Sequence, residues 1–582
     1  MFTAKLQDHL QRNWSVYVLC VIILAAFFIR SVNFHDWLYF KADQARDAAH
    51  SRSVLNNGPG ELPLLGPKAG GTKLHLGPVY YYFQYFSALI FQSAQPHIFA
   101  LPDLFFSILA IPLFYYFLRQ FFSKEISLLT ITTFSFSYII TQYSRFGWNP
   151  NLVPFWGLLF VLSVYKVGTI SNKKTAGYWL LSAAIAYSVV SQLHFIALAG
   201  FPLVAVIFWL FWRPRKIPWK FWVGAVLIVL IIYAPVIISD VKNKGNNLEQ
   251  FHYAIKHKPQ ERSVLDSARK TTELYGKFYA VIVTSLNDNE LPIISSIGIF
   301  FVLASFIVMT LLVFGKLPWF KSAKYDPFLT IILIWFVSFS IIYFQLAFSL
   351  NRNRYWFPTI FIPYIFLSMF YAALWKIKYK KIGITLVLTI TLLLLILNLS
   401  AIANWYCKLH SQQNVDRFFR TVSSTSLKQR EFVTLKDQKE IVAYMKNISE
   451  QKNKQACFNA PGVYLPAIKY VFETNHPNFP MKRIGENISK NTNGCEIFII
   501  ELGRKNEKSI YKKFPPHINV NTIEKHQAGF LTAWRVSYSE NNSKKSNTKK
   551  TGSSTNNAVK NKKNYSNTEP IKKPSLHWKD VF

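Results

Sequence analysis

Eleven stretches of this chain are apolar for about 18 residues or more, the length a helix needs to cross a lipid bilayer. They fall at roughly 14–32, 98–118, 125–143, 149–168, 176–193, 195–212, 219–238, 291–314, 327–348, 355–375 and 382–403. The first ends in Ile29-Arg30-Ser31, without a small-residue cleavage site, so it reads as a retained helix and not a signal peptide. Hydrophobic residues make up 51% of the 582 and aromatics 17%, with 51 Phe, yet the net charge is +37. A soluble nucleic-acid binder would carry more charge and fewer aromatics. A disordered polybasic chain would not carry so many Phe. A polytopic membrane protein with basic loops accounts for both values, and nucleic acid is not needed as a partner. Four Cys exclude a disulfide scaffold.

A twelfth run, 77–95, begins Gly77-Pro78-Val79-Tyr80-Tyr81-Tyr82. Charge decides its reading. With this run on the membrane surface and the N-terminus cytoplasmic, the inside loops hold 18 basic residues against three acidic ones, Asp8, Glu125 and Asp326. Counting it as a span would move nearly all the basic clusters outside, against the positive-inside rule. It is expected to be a juxtamembrane helix.

The expected fold class is therefore mainly α: a polytopic transmembrane helical protein of about eleven spans with juxtamembrane helices, plus a small outer α/β C-terminal domain. Residues 1–403 would form the transmembrane domain, with a first outer loop at 33–97. A second, at 239–290, should be part helical near Leu248–Lys258 and Val264–Tyr275. Residues 404–540 would form the outer module, with strands at 497–500 and 530–536 and a helix at Lys436–Lys446. Cys457 and Cys495 both lie in it, and either a disulfide or two free thiols fits the sequence. Residues 541–582 hold ten Lys and two acidic residues, a composition that cannot bury a core and predicts disorder.

Polar residues at span ends cost free energy unless they are paired or used. The assigned topology puts six such segments on one side. They are Asp43-Gln44-Ala45-Arg46-Asp47, Pro63-Leu64-Leu65-Gly66-Pro67, His75-Leu76-Gly77-Pro78-Val79-Tyr80, Ser144-Arg145-Phe146-Gly147-Trp148-Asn149, Gln192-Leu193-His194-Phe195 and Asn351-Arg352-Asn353-Arg354-Tyr355-Trp356. An anionic lipid head group needs fixed cations, and the planar fork of Arg suits phosphate. Arg145, Arg352 and Arg354 qualify. A hydroxyl nucleophile needs a carboxylate to take its proton, and Asp43 and Asp47 are the candidates, four apart and on one face of any helix there. The bland readings stand beside these. Each Arg fits equally a residue that snorkels to head groups. Asp47 fits a partner of Arg46, His194 a structural histidine, Tyr80–Tyr82 an interfacial belt and Asp103 a helix-start acid.

The order of these motifs resembles the GT-C superfamily of integral membrane glycosyltransferases, and within it the protein O-mannosyltransferase and aminoarabinose–lipid A transferase group with its family-39-like bacterial branch. The segment 43–47 looks like that group's first-loop motif. His75-Leu76-Gly77-Pro78-Val79-Tyr80 is similar to its His-x-Pro-Pro-Leu-Tyr element, with Gly77 in place of the first Pro. Arg145 with Trp148-Asn149, 192–195 and 354–358 match further elements, and the resemblance covers 14–403. Gln44 departs from the acidic residue common there, which leaves Asp43 as the base. Asp103 follows Leu-Pro without the Arg that often precedes it.

The resemblance implies transfer of a hexose or pentose from a polyprenyl-phosphate donor to a hydroxyl of a lipid, glycan or protein on the outer face, with inversion. Asp43 would be catalytic. Gln44, Arg46, His75, Tyr80, Arg145, Trp148, Asn149, His194, Arg352, Arg354 and Tyr355 would bind the donor phosphate or sugar. No cofactor is required, although Asp43 and Asp47 are compatible with a divalent cation. The expected location is a bacterial plasma (inner) membrane, with the N-terminus cytoplasmic and the C-terminal module outside. The competing classes are a polysaccharide polymerase or ligase with a diphosphate-lipid donor, a lipid or solute transporter, and a non-catalytic scaffold. A transporter predicts internal repeats and polar mid-membrane helices, and no repeat is evident here.

Overall fold

The computed structural model describes the chain except residues 1, 70–71, 215–216, 258–262, 287–292, 316–325, 351–352, 412–431, 485–493, 504–507, 512–513, 515–517, 541–576 and 581–582. Two compact units result. The first comprises Met1–Lys436 with His577–Phe582, the second Asp437–Leu576.

The first unit is helical. Its helices in chain order are α1 Phe2–Ser31, α2 Ala42–Asn57, α3 Val79–Phe91, α4 Leu101–Leu118, α5 Lys124–Ser135, α6 Tyr138–Tyr143, α7 Val153–Thr169 and α8 Lys173–Leu193. They continue as α9 Phe195–Phe211, α10 Trp219–Lys242, α11 Asn246–His257, α12 Val264–Thr284, α13 Ile293–Val313, α14 Pro327–Leu346, α15 Ile362–Trp375 and α16 Lys380–Ser411. Among the described residues eight helices are long and apolar enough to cross a membrane, or nine if the pair Asn353–Thr359 and Ile362–Trp375, bent by 53°, is one span. The chain is an integral membrane protein. Its exposed apolar faces, such as Val226, Ile231 and Val241 of α10, are what lipid would cover. Helix α3 has 13 residues, about 20 Å at the helical rise, too short to span, as the charge argument requires.

Two of the eleven expected spans fall short. Run 125–143 is broken into α5 and α6, of 12 and 6 residues. At the break the Tyr138 N–H donates to the side chain of Asn398 on α16 (3.0 Å), and the Ser137 hydroxyl donates to the Ile282 carbonyl of α12 (3.0 Å). Asn398 thereby satisfies a backbone N–H that a continuous helix would have paired within itself. Run 195–212 forms α9, 17 residues long, which joins α8 through the single extended residue His194 (φ −155°, ψ 133°).

Close helix packing relies on small residues. A Cβ on Gly298 of α13 would lie 2.1 Å from the Gly276 carbonyl of α12, and one on Gly177 of α8 would lie 2.5 Å from the Phe221 ring of α10. The buried Arg30 ties α1 to its neighbours, donating to the Ser107 hydroxyl (2.6 Å) and carbonyl (3.0 Å) of α4 and to the Ser135 carbonyl of α5 (2.9 Å).

The second unit is a five-stranded α/β sheet. Its strands are β1 Gln455–Asn459, β2 Met481–Arg483, β3 Cys495–Leu502, β4 Ile518–Ala528 and β5 Leu531–Glu540, in the order β2-β1-β3-β5-β4. β1 runs parallel to β2 and β3, and β5 antiparallel to β3 and β4. The apolar run 497–500 becomes the central strand, buried on both faces. Cys457 and Cys495 are joined as a disulfide between β1 and β3, which resolves the choice the sequence left open. Of the tail expected to be disordered, 541–576 and 581–582 lie outside the described residues. His577–Asp580, by contrast, are folded, with a bridge from His577 to Pro63 and a short helix at Trp578–Asp580.

Candidate functional site

Helix α2 begins after Lys41, whose extended backbone (φ −135°, ψ −168°) ends the incoming strand-like segment. The Lys41 N–H donates to the Gln44 side chain (3.2 Å), so Gln44 closes the first turn of the helix. Asp43 and Asp47 follow at i and i+4, and Arg46 serves both. It donates to Asp43 (3.2 Å) and to Asp47 through Nε (2.8 Å) and Nη2 (2.7 Å). The two carboxylates differ in setting. Asp43 keeps 54% of its side chain in solvent, whereas Asp47 is fully buried. Asp47 also accepts from the Tyr81 hydroxyl (3.2 Å), while its second oxygen is buried without a partner.

Burial pushes the Asp47 carboxyl up to about 6 even though Arg46 pulls the other way. Burial opposes the charge on Arg46, but Asp47, Tyr81 and Asp43 outweigh it, and its pKa is raised. Arg46 donates to both carboxylates, and among the described residues no three His, Cys, Asp or Glu side chains cluster.

A second cluster forms where the 144–149 segment meets 353–355. The Arg354 guanidinium lies 5.1 Å from the ring centres of both Trp148 and Tyr355 and donates to the Tyr355 hydroxyl (3.3 Å). The His194 ring meets Tyr355 edge-on at 5.8 Å. Among the described residues no carboxylate lies within ion-pair distance of Arg354. Its charge is balanced by aromatic faces, which attract a cation without neutralising it. Beside the cluster, Tyr143 and Phe357 line a small cleft of about 30 Å3, whose walls also include Phe106, Ile140 and Phe155. Tyr143 stacks on Trp148 at 6.4 Å.

Ring contacts and buried hydrogen bonds connect the two clusters. Tyr39, four residues before Asp43, meets Phe146 at 4.8 Å, and Phe146 meets Trp148 at 6.0 Å. Fully buried Asp103 accepts from the Trp148 N–H (3.0 Å) and from the Tyr80 hydroxyl (3.1 Å), and Gln84 donates to Tyr80 (3.3 Å). Asp103 is thus more than a helix-start acid, because it fixes the 144–149 segment on α3. The three tyrosines are likewise not an interfacial belt. Tyr80 donates to Asp103, Tyr81 to Asp47 and Tyr82 to the Pro63 carbonyl (3.0 Å).

Other expected ligands make contacts with the scaffold. Arg145 is buried and donates to the carbonyls of Arg30 and Val32, with Tyr406 under its guanidinium at 5.0 Å. It locks the end of α1 and does not join Arg354. Asn149 donates to the Leu193 carbonyl (2.6 Å), one residue before His194. The His75 Nδ1 donates to the Gly66 carbonyl (2.8 Å), which leaves Nε2 as an acceptor. Asn247 of α11 holds the His75 backbone from both sides (2.9 and 3.1 Å). Burial lowers the pKa of His75. Gly77 has a steric reason: a Cβ there would lie 2.0 Å from the Gln192 side chain, whose oxygen accepts from the Val79 N–H. Arg352 lies outside the described residues.

No family model matches the sequence, and none of the curated proteins does. Solved structures do match. The oligosaccharyltransferase AglB from Archaeoglobus fulgidus, in complex with an inhibitory peptide and a dolichol-phosphate, superposes with a TM-score of 0.50 at 11% identity, over 85% of this chain and 70% of that one. ArnT from Cupriavidus metallidurans, in the apo state, gives a TM-score of 0.50 at 12% identity, over 90% of this chain and 98% of that one. Both are GT-C glycosyltransferases. The chain has the GT-C fold. Within this GT-C scaffold Asp43 stands on the loop after the first span and Arg354 at the bend before α15.

Proposed function

We propose that this protein is a membrane glycosyltransferase that moves a sugar from a polyprenyl-phosphate donor to an acceptor hydroxyl with inversion. The observation that carries the reading is Arg354, half-buried, free of any described carboxylate and held against the Trp148 ring, which stacks on Tyr143 of the small apolar cleft. That arrangement suits a phosphate attached to a hydrocarbon chain. The AglB structure of the same fold was solved with a dolichol-phosphate, and this supports a lipid-phosphate carrier here.

In the reaction the acceptor hydroxyl gives its proton to Asp43 while its oxygen bonds to the anomeric carbon. The bond from that carbon to the phosphate oxygen breaks on the opposite face, and the electron pair leaves on the lipid phosphate. Arg354 offsets the charge that grows there. Arg46 orients Asp43, and the Nε2 of His75 is available to a sugar hydroxyl. The reading assigns no role to a cofactor. It places the reaction on the outer face of a bacterial plasma membrane, with the N-terminus inside and a lipid, glycan or protein as acceptor.

Asp43→Asn tests this reading. In membranes containing equal amounts of protein, transfer of labelled sugar from synthetic polyprenyl-phosphate sugars should fall by about 10² to 10⁴. Full activity would remove Asp43 from the mechanism. Turnover only with diphosphate-linked donors would establish a polymerase or ligase instead.

A further inference from the structure

The four described residues at the C-terminus return to the first unit and seat on its first long loop. The surface that receives them is rich in acceptors. It consists of the Glu61 and Leu62 carbonyls, the Glu61 carboxylate and the Tyr82 hydroxyl. The segment brings donors to each. The His577 Nδ1 donates to the Glu61 carbonyl (2.6 Å), the Trp578 N–H to the Leu62 carbonyl (3.2 Å) and the Trp578 indole to Tyr82 (3.2 Å). Lys579 pairs with the Glu61 carboxylate (2.6 Å). From the other side Lys242, at the end of α10, donates to the Asp580 carbonyl (2.7 Å). Within the segment the His577 N–H donates to Asp580 (2.8 Å), closing the short turn that presents these groups together.

We propose that the surface formed by Glu61, Leu62 and Tyr82 is an internal docking site, and that its occupant is this chain's own segment His577–Asp580, acting as a strap across the first long loop. Three arguments carry it. Donors meet acceptors at four separate points. The strap joins segments far apart in sequence, 59–63, Tyr82 and Lys242, so it cross-braces the loop as no local contact could. The site also adjoins the machinery: Tyr82 follows Tyr81, which holds Asp47, and 59–61 follow the end of α2. Tethering makes each contact intramolecular and so raises the effective concentration of a short peptide that would be weak when free. Fully extended, 36 residues would reach at most about 130 Å. That span allows docking on the same chain or on a second copy, and the strap is assigned to the same chain.

The test compares the full chain with a chain ending at Leu576, both in nanodiscs. A labelled peptide of residues 574–582 should bind the shortened chain at one site and the full chain at least tenfold more weakly, because the full chain's site is filled. The Trp578→Ala peptide should bind the shortened chain at least tenfold more weakly than the parent peptide. Amide exchange across 58–63 and 79–83 should quicken at least tenfold on shortening. Equal binding to both chains, or binding to neither, would overturn the proposal. A dimer that dissociates on shortening would show the strap seated on a second copy and would overturn its assignment to the same chain. These readouts do not involve sugar transfer, so they stand or fall separately from the proposed activity.

Discussion

Helix α2 and the paired segments 144–149 and 353–355 divide their residues in the same way. Each offers two like-charged groups, Asp43 and Asp47 in one, Arg145 and Arg354 in the other. In each, one group is buried and the other keeps contact with solvent. The difference lies in the coupling. Asp47 shares Arg46 with its exposed twin, so the two carboxylates act through one guanidinium. Arg145 is bound to the Arg30 and Val32 carbonyls and shares nothing with Arg354. A buried group can thus be coupled to an exposed twin or tied only to backbone carbonyls, and its partners decide which.

The comparison breaks most sharply at Arg145. Arg145→Ala leaves the buried Arg30 carbonyl and the part-buried Val32 carbonyl without their charged donor, which should cost about 2–3 kcal/mol. Yield and melting temperature in detergent should drop, while the folded fraction keeps its donor affinity. A raised donor KM at unchanged melting temperature would place Arg145 in the site after all. The converse is expected of Arg354→Ala. Its donor KM should rise about tenfold with little change in melting temperature, the loss of one charge-assisted contact to phosphate. Unchanged KM would remove Arg354 from donor binding.

The smallest effect sharpens the coupling within α2. The buried Asp47 carboxyl sits at about 6 in the folded protein, above its ordinary value of 3.8. The folded state therefore holds this proton more tightly than the unfolded one. Its contribution to stability is present below about pH 4 and is lost as pH rises through about 6. Melting temperature should fall across that window in the parent and fall less in Asp47→Asn. An identical pH dependence in both would separate Asp47 from this titration. Above the window Asp47→Asn should reduce turnover by altering how Arg46 holds Asp43, at unchanged donor KM.

Much of the fold was legible because it rests on local chemistry. The apolar runs, the short α3 with its Gly-Pro start and the β-rich run 497–500 all carry their signal within a few turns or residues. The pairing of 43–47 was partly legible too, since two carboxylates four apart share one face of a helix, and the structure places Arg46 between them. The break in 125–143 was not legible. The partner that meets the freed Tyr138 N–H is Asn398, 260 residues downstream and hidden inside an apolar run that reads as plain membrane helix. Asp103 carried too weak a signal for the same reason, because its partners are a backbone N–H at Trp148 and a hydroxyl at Tyr80. The Tyr80–Tyr82 run matched the composition of an interfacial belt, yet each hydroxyl found a different acceptor.

The sequence by itself determined that this chain crosses a membrane, and that polar and charged residues collect at the ends of its spans. Lipid imposes a length and a polarity on each segment separately, and both can be read along one dimension. Only the tertiary structure decided which like residues serve the scaffold and which remain open to a ligand. A buried charge or hydroxyl must find a partner, and here those partners come from remote segments: α16 for the break before α6, the end of α1 for Arg145, and the chain's last residues for the loop behind α2.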